Sequence, residues 1–253
     1  MDDRRRTSSL DRLRETVRAA IEADGAYIAS PDQRDFSILP EFPELRSLGL
    51  GNCRVDALDL RGSDHLTSLG VPANRQVRQT LELAGLPSLK RMVITGADQT
   101  FVEAEIRAQP VDLELISAQK LTSLPSNAAW LALVQRLSIH GAAEFDCASL
   151  AALPALRWVQ LASVRTLHNL DAIGMGGLLD FVEIDNCDAA PGAEMGSVRA
   201  QRLVVGGKRS PFAREDVTAL PDEGRRMWSV APRIADARPN NSRPPASFYD
   251  VTF

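Results

Sequence analysis

The chain has 253 residues, 44% of them hydrophobic and 25% charged, with a formal net charge of −4. That length suffices for one domain with a sizeable core. No run reaches the ~20 apolar residues of a membrane helix, and three cysteines, an odd number, make no disulfide framework.

From the N-terminus, residues 1–4 lead into no hydrophobic stretch, so no secretory signal is expected. A helix is predicted over about 8–24. Ser8 or Ser9 suits its N-cap, Asp11 and Glu15 sit early, and Gly25 suits its stop. Leu10, Leu13, Val17 and Ile21 form a narrow apolar stripe at helical spacing, which fits a cap over a core better than a membrane or partner helix.

A short phrase then recurs. Leu45-Leu48-Leu50-Cys53 is followed by Leu66-Leu69-Val71-Asn74, Leu89-Met92-Ile94-Ala97, Val134-Leu137-Ile139-Ala142, Leu156-Val159-Leu161-Val164 and Leu179-Val182-Ile184-Cys187. Leu113-Leu115-Ala118 fills the remaining slot, with Pro110 in place of the first leucine, and a weaker eighth copy surrounds Leu203 and Val205. The small residues stand at 53, 74, 97, 118, 142, 164 and 187, about 22 apart. Apolar-x-apolar is the period-2 signature of a short strand with one buried face. A strand this short cannot bury that face alone, so copies at a fixed period are expected to pair in a parallel sheet over a shared core. Asn or Cys in the small column can satisfy backbone groups where the chain leaves the strand.

Between these strands runs a second apolar series, Leu58/Leu60, Leu81/Leu83 and Ala104/Ile106, expected as short strands. The segments from Phe145 to Leu153 and from Leu167 to Ile173 look more like single helical turns. Ser210-Pro211 signals a helix over about 211–220, and after Ala231 the composition turns to Pro, Arg, Asn and Ser.

The phrase resembles that of the leucine-rich repeat family, L-x-x-L-x-L-x-x-N/C, over about positions 43–208. The resemblance implies an α/β solenoid: a right-handed coil with a parallel β-sheet on its concave side and short strands or helical turns on its convex side. Residues 1–42 would then form an N-terminal cap and 209–253 a C-terminal cap and tail. It also implies a binding role. The match departs from the family phrase in having Asn in only one of seven columns.

Catalytic patterns are lacking. His65, His140 and His168 fall in different repeats and none stands at metal-ligand spacing. No G-x-S-x-G marks a nucleophile elbow. Gly174-Met175-Gly176-Gly177 reads as a loop between repeats, and Gly206-Gly207-Lys208-Arg209-Ser210 departs from a phosphate loop at its first glycine and at Ser210. No catalytic, cofactor or metal residue is therefore expected. Residues 92–194 carry 13 acids against 5 bases, which argues against nucleic acid.

Positions between the buried ones must face outward. One column is Ser47, Ser68, Arg91, Asp112, Arg136, Trp158, Phe181 and Arg202. The next is Gly49, Gly70, Val93, Glu114, Ser138, Gln160, Glu183 and Val204. The first two repeats are bland and the later ones chemically equipped. Expected partner-binding residues are Arg91, Asp112, Glu114, Arg136, His140, Arg157, Trp158, Gln160, Phe181, Glu183, Asp185 and Arg202. Trp158 and Phe181 would be exposed anchors, unless a neighbouring side chain or the C-terminal tail covers them. The expected protein is a cytoplasmic, bacterial, monomeric and non-catalytic module that binds another protein, with no nucleic-acid and no membrane partner. An inhibitor or immunity-type protein is one form of it. The alternative is a repeat-containing effector or enzyme with an unrecognised active site.

Overall fold

The structure, a computed structural model, describes residues 2–193, 198–207, 209 and 229–230. Ten strands form one sheet in which every pair is parallel. They are β1 (Tyr27–Ile28), β3 (Ser47–Gly49), β5 (Ser68–Pro72), β6 (Arg91–Thr95), β7 (Asp112–Ile116), β8 (Arg136–His140), β10 (Trp158–Ala162), β12 (Leu179–Asp185), β13 (Ala200–Gly206) and β14 (Ser229–Val230). They lie side by side in the order in which the chain makes them. Helices are few.

Register places like residue on like. Leu48, Leu69, Met92, Leu113, Leu137, Val159, Val182 and Leu203 pair in succession along the sheet. All eight are buried, within one apolar cluster that runs from Leu13 to Val205. A slip of one residue between any two strands would turn this row out of the core, so burial locks the pairing. Tyr27–Ile28 adds a turn before the first leucine phrase. Tyr27 pairs with Leu48, and Tyr27 and Ala29 supply its apolar-x-apolar core.

The small-residue column turns inward as the chain leaves each strand. Asn74 Nδ2 donates to Val55 O at 3.4 Å, Cys53 Sγ to Ser30 O at 3.4 Å, and Cys187 Sγ to Leu161 O at 3.3 Å. The residue just before that column adopts positive φ in six successive turns: Gly96, Ser117, Gly141, Ser163, Asn186 and Gly207. Most of these still donate their N–H to the next strand, as Ser163 does to Asp185 O at 2.9 Å. After the first five of these, the left-handed step swings the following side chain, Ala97, Ala118, Ala142, Val164 or Cys187, into the core. This column escaped the sequence reading because Gly, Ser and Asn share it.

The return segments depart from expectation. Only the first of the three expected strands forms: β4 (Ala57–Leu58) pairs with β2 (Asp35–Phe36). Leu81 and Leu83 belong instead to helix α2 (Arg75–Leu83). Asn74 Oδ1 caps it by accepting from Val77 N at 2.8 Å, and Val77 and Leu81 bury one face while Leu83 stays 73% exposed. Ala104 and Ile106 follow the short helix α3 (Gln99–Val102), capped by Asp98. A polar cap just before a return segment decides for helix where two apolar residues at spacing two are ambiguous. Further on, β9 (Phe145–Asp146) pairs with β11 (Leu167–His168), and each runs into a 3₁₀ turn, Cys147–Ala152 and Leu170–Ala172.

At the N-terminus, α1 spans Asp2–Glu22, so Ser8 and Ser9 are helical residues and not its N-cap. Ser9 Oγ instead donates to Gln33 Oε1 at 3.1 Å. Leu13 and Val17 are buried, with Leu10 and Ile21 packed partly against the same core. The stop is Asp24, at φ 49°, and not Gly25. Asp24 N donates to Ile21 O and Gly25 N to Ala20 O, at 3.0 and 2.8 Å, which closes the helix in a Schellman arrangement. No helix among the described residues is long and apolar enough to cross a membrane. The helix expected over 211–220 and the tail after 231 lie outside the described residues.

The left-handed column is testable. A Cβ on Gly207 would stand 2.3 Å from the Cα and N of Asn186. Gly207→Ala should therefore destabilise by about 1–3 kcal/mol. Ser163→Gly relieves a non-glycine residue at φ 54°, a cost of about 1–2 kcal/mol. Against that stand roughly 0.5–1 kcal/mol of added glycine chain entropy and the loss of the 3.4 Å bond from Asn186 Nδ2. The change should therefore stabilise by no more than about 1 kcal/mol. Thermal unfolding followed by circular dichroism checks both signs.

Candidate interaction face

The two outward columns meet across the sheet. Arg91, Asp112, Arg136, Trp158, Phe181 and Arg202 pair in one row, and Glu114, Ser138, Gln160 and Glu183 in the next. His140 and Asp185 both pair with Ala162 at the strand ends. Alternation along each strand puts residues two apart on the same side, so the rows share one face. Arg157 stands apart. It precedes β10, its side chain is 67% exposed, and it pairs with Asp180 at 3.7 Å.

A polar chain crosses five strands on this face. Arg91 Nη2 donates to Glu114 Oε2 at 3.2 Å, and Glu114 Oε1 lies 3.9 Å from His140 Nε2. His140 Nε2 meets Ser138 Oγ at 2.6 Å. Ser138 Oγ donates to Gln160 Oε1 at 2.7 Å, and Gln160 Nε2 to Glu183 Oε2 at 3.0 Å. Ser138 and Gln160 are fully buried. An unsatisfied polar group there would cost about 1–3 kcal/mol, which the chain of bonds avoids. Ser138 was not among the expected site residues. Its signal was positional: it stands two residues before His140 on one strand.

Charge on the face is partly desolvated. Arg136 Nη1 lies 3.7 Å from Asp112 Oδ2. Burial nevertheless raises the Asp112 carboxyl above its ordinary value, against the pull of Arg136 and Arg91. Burial also pushes His140 below its ordinary value, with Glu114 and Asp185 opposing.

The aromatic pair is not exposed. Trp158 and Phe181 occupy paired positions on neighbouring strands, which stacks their rings at 5.1 Å and 9°. They are 7% and 6% exposed. Each ring covers one face of the other, and the Arg202 guanidinium lies 5.6 Å from the Phe181 centroid. Both rings, expected to be open anchors, are thus covered, with the stack, Arg202 and Val204 supplying part of that cover. The stack is worth about 0.5–1.5 kcal/mol beyond its buried area. The face is left with half-buried polar groups: Arg91, Asp112, Glu114, Arg136, His140, Glu183, Asp185 and Arg202.

Other chemistry is poorly served. Ser138, His140 and Glu114 have the residue types of a nucleophile, base and orienting acid, yet Glu114 faces the same Nε2 as the serine. A triad needs its acid on the opposite nitrogen. The Cys53, Cys147 and Cys187 thiols are buried, and burial pushes Cys187 up to about 12, far from a reactive thiolate. Among the described residues, no group of three or more His, Cys, Asp or Glu could hold a metal ion. A cleft of about 430 Å³ opens at the strand-entry edge, lined by Leu153, Pro154, Arg157, Gly176 and Leu178 among others. No protein-family model matches the chain, and neither does any curated protein or solved structure.

The depressed His140 has a consequence for stability. Its pKa in the unfolded chain is near 6.5, above the folded value. Below about that pH the unfolded state therefore binds more protons, and stability present above it is lost as pH falls. The urea midpoint should drop between about pH 7.5 and 5.5. The drop should be smaller in His140→Asn, as equilibrium unfolding at each pH would measure.

Proposed function

We propose that the chain is a leucine-rich-repeat solenoid, a right-handed coil. In this reading it binds another protein through the sheet face from β6 to β13 and performs no catalysis. Ten parallel strands in chain order, at steps of about 22 residues through the repeat region, support the coil. The observation that carries the binding role is the polar chain from Arg91 to Glu183. Buried polar networks are seldom the most stable filling for a protein surface, since apolar residues of like volume often do as well or better. A network that fixes donors and acceptors across five strands instead makes a preorganised surface, which lowers the ordering cost of binding. The raised Asp112 carboxyl points the same way, because a perturbed ionisable group marks a candidate functional position.

The anchors are accordingly Arg91, Glu114, Arg136, His140, Glu183, Asp185 and Arg202, with the Trp158–Phe181 stack as their apolar support. Among binding modules, an inhibitor or immunity-type protein that occupies a partner's surface is the form we favour.

The test is capture from the native cell by the full chain, by Arg136→Glu/Asp185→Arg on the face, and by Lys120→Glu on an exposed residue off it. A protein retained by the wild type and by Lys120→Glu should fall at least about tenfold in recovery with the face variant, as loss of one or more interface contacts implies. Equal recovery by all three would overturn the reading.

A further inference from the structure

The polar chain has a direction. An ionised Glu183 can only accept, so the Gln160 amide must turn Nε2 toward it, and does so at 3.0 Å. That leaves Gln160 Oε1 facing Ser138, whose hydroxyl donates its single proton there at 2.7 Å. With that proton engaged, Ser138 Oγ can only accept at its other contact, His140 Nε2 at 2.6 Å. The imidazole nitrogen must then bear the hydrogen. The opposite tautomer would set two lone pairs against each other across 2.6 Å.

We propose that Glu183 on β12 holds His140 on β8 in its Nε2–H tautomer, through Gln160 and Ser138, so that the charge state of one strand is read on another. Glu114 Oε1, 3.9 Å from the same nitrogen, adds a weaker bias in the same sense. Asp185 also bears on this imidazole, favouring its charged form. When Glu183 is neutralised, its carboxylate no longer favours this orientation of the Gln160 amide, and the opposite orientation, with Ser138 pointing its proton at Nε2, gains weight. The imidazole then releases its Nε2 proton to water and takes one from water at Nδ1. A cationic group seated on Glu183 would compete with Gln160 for that carboxylate and loosen the same chain.

The readout is taken on the free chain, so the relay stands or falls separately from the partner-binding reading. Long-range ¹H–¹⁵N correlation spectra of the full chain at about pH 8 report each histidine's tautomer. With only three histidines, His140→Gln assigns the signal. The wild type should show Nε2–H. Glu183→Gln should move the ratio toward Nδ1–H by about fivefold, the weight of one net hydrogen bond. Ser138→Ala cuts the relay, so Ser138→Ala and Ser138→Ala/Glu183→Gln should give the same ratio. An Nδ1–H wild type would overturn the proposal. So would an unchanged ratio in Glu183→Gln, or a residue-183 effect that survives Ser138→Ala.

Discussion

In-register parallel pairing is the constraint from which the rest of this structure follows. No strand of the main sheet exceeds seven residues and several have two or three, too few to bury an apolar face unaided. Each depends on its neighbours for backbone partners and for the side chains that close its core. The buried row from Leu48 to Leu203 holds the pairing, because a one-residue slip would send every member to the opposite face. The left-handed residue after β6, β7, β8, β10 and β12 serves the same end. It keeps its place beside the next strand and delivers the small column, Ala97 to Cys187, into the core.

The same register sets the chemistry of the outer face. Residues about 22 positions apart in the chain come to about 5 Å apart across the sheet. Arg91 can therefore bond Glu114, Gln160 can bond Glu183, and two rings can stack. The aromatic pair shows how this alters meaning. In sequence, Trp158 and Phe181 are two outward apolar residues, the composition of an interface hot spot. In the sheet they satisfy one another, and the distinctive chemistry passes to the polar groups around them.

Much of the architecture was legible because a repeat states the same demand many times. The strand positions, the buried rows and the membership of the outer columns all follow from period-2 alternation at a fixed spacing. Less was legible where one signal serves two structures. Leu81 and Leu83 suit a strand as well as a helix until Asn74 caps the turn before them. Asp24 takes the left-handed position beside a glycine that could equally have taken it. Ser8 and Ser9 look like caps but lie within a longer helix. The turn at Tyr27–Ile28 lacks the leucine phrase, and only its pairing with Leu48 reveals it.

By itself the sequence determined which residues face the core and which face outward, because that choice depends on alternation along a single strand. Only the tertiary structure decided what the outward residues do to one another. Whether Ser138 reaches Gln160, whether Trp158 is open or stacked, and whether Asp112 carries an electrostatic cost all depend on distances between strands. Those distances are set by hydrogen-bond register and burial, which act between segments far apart in the chain.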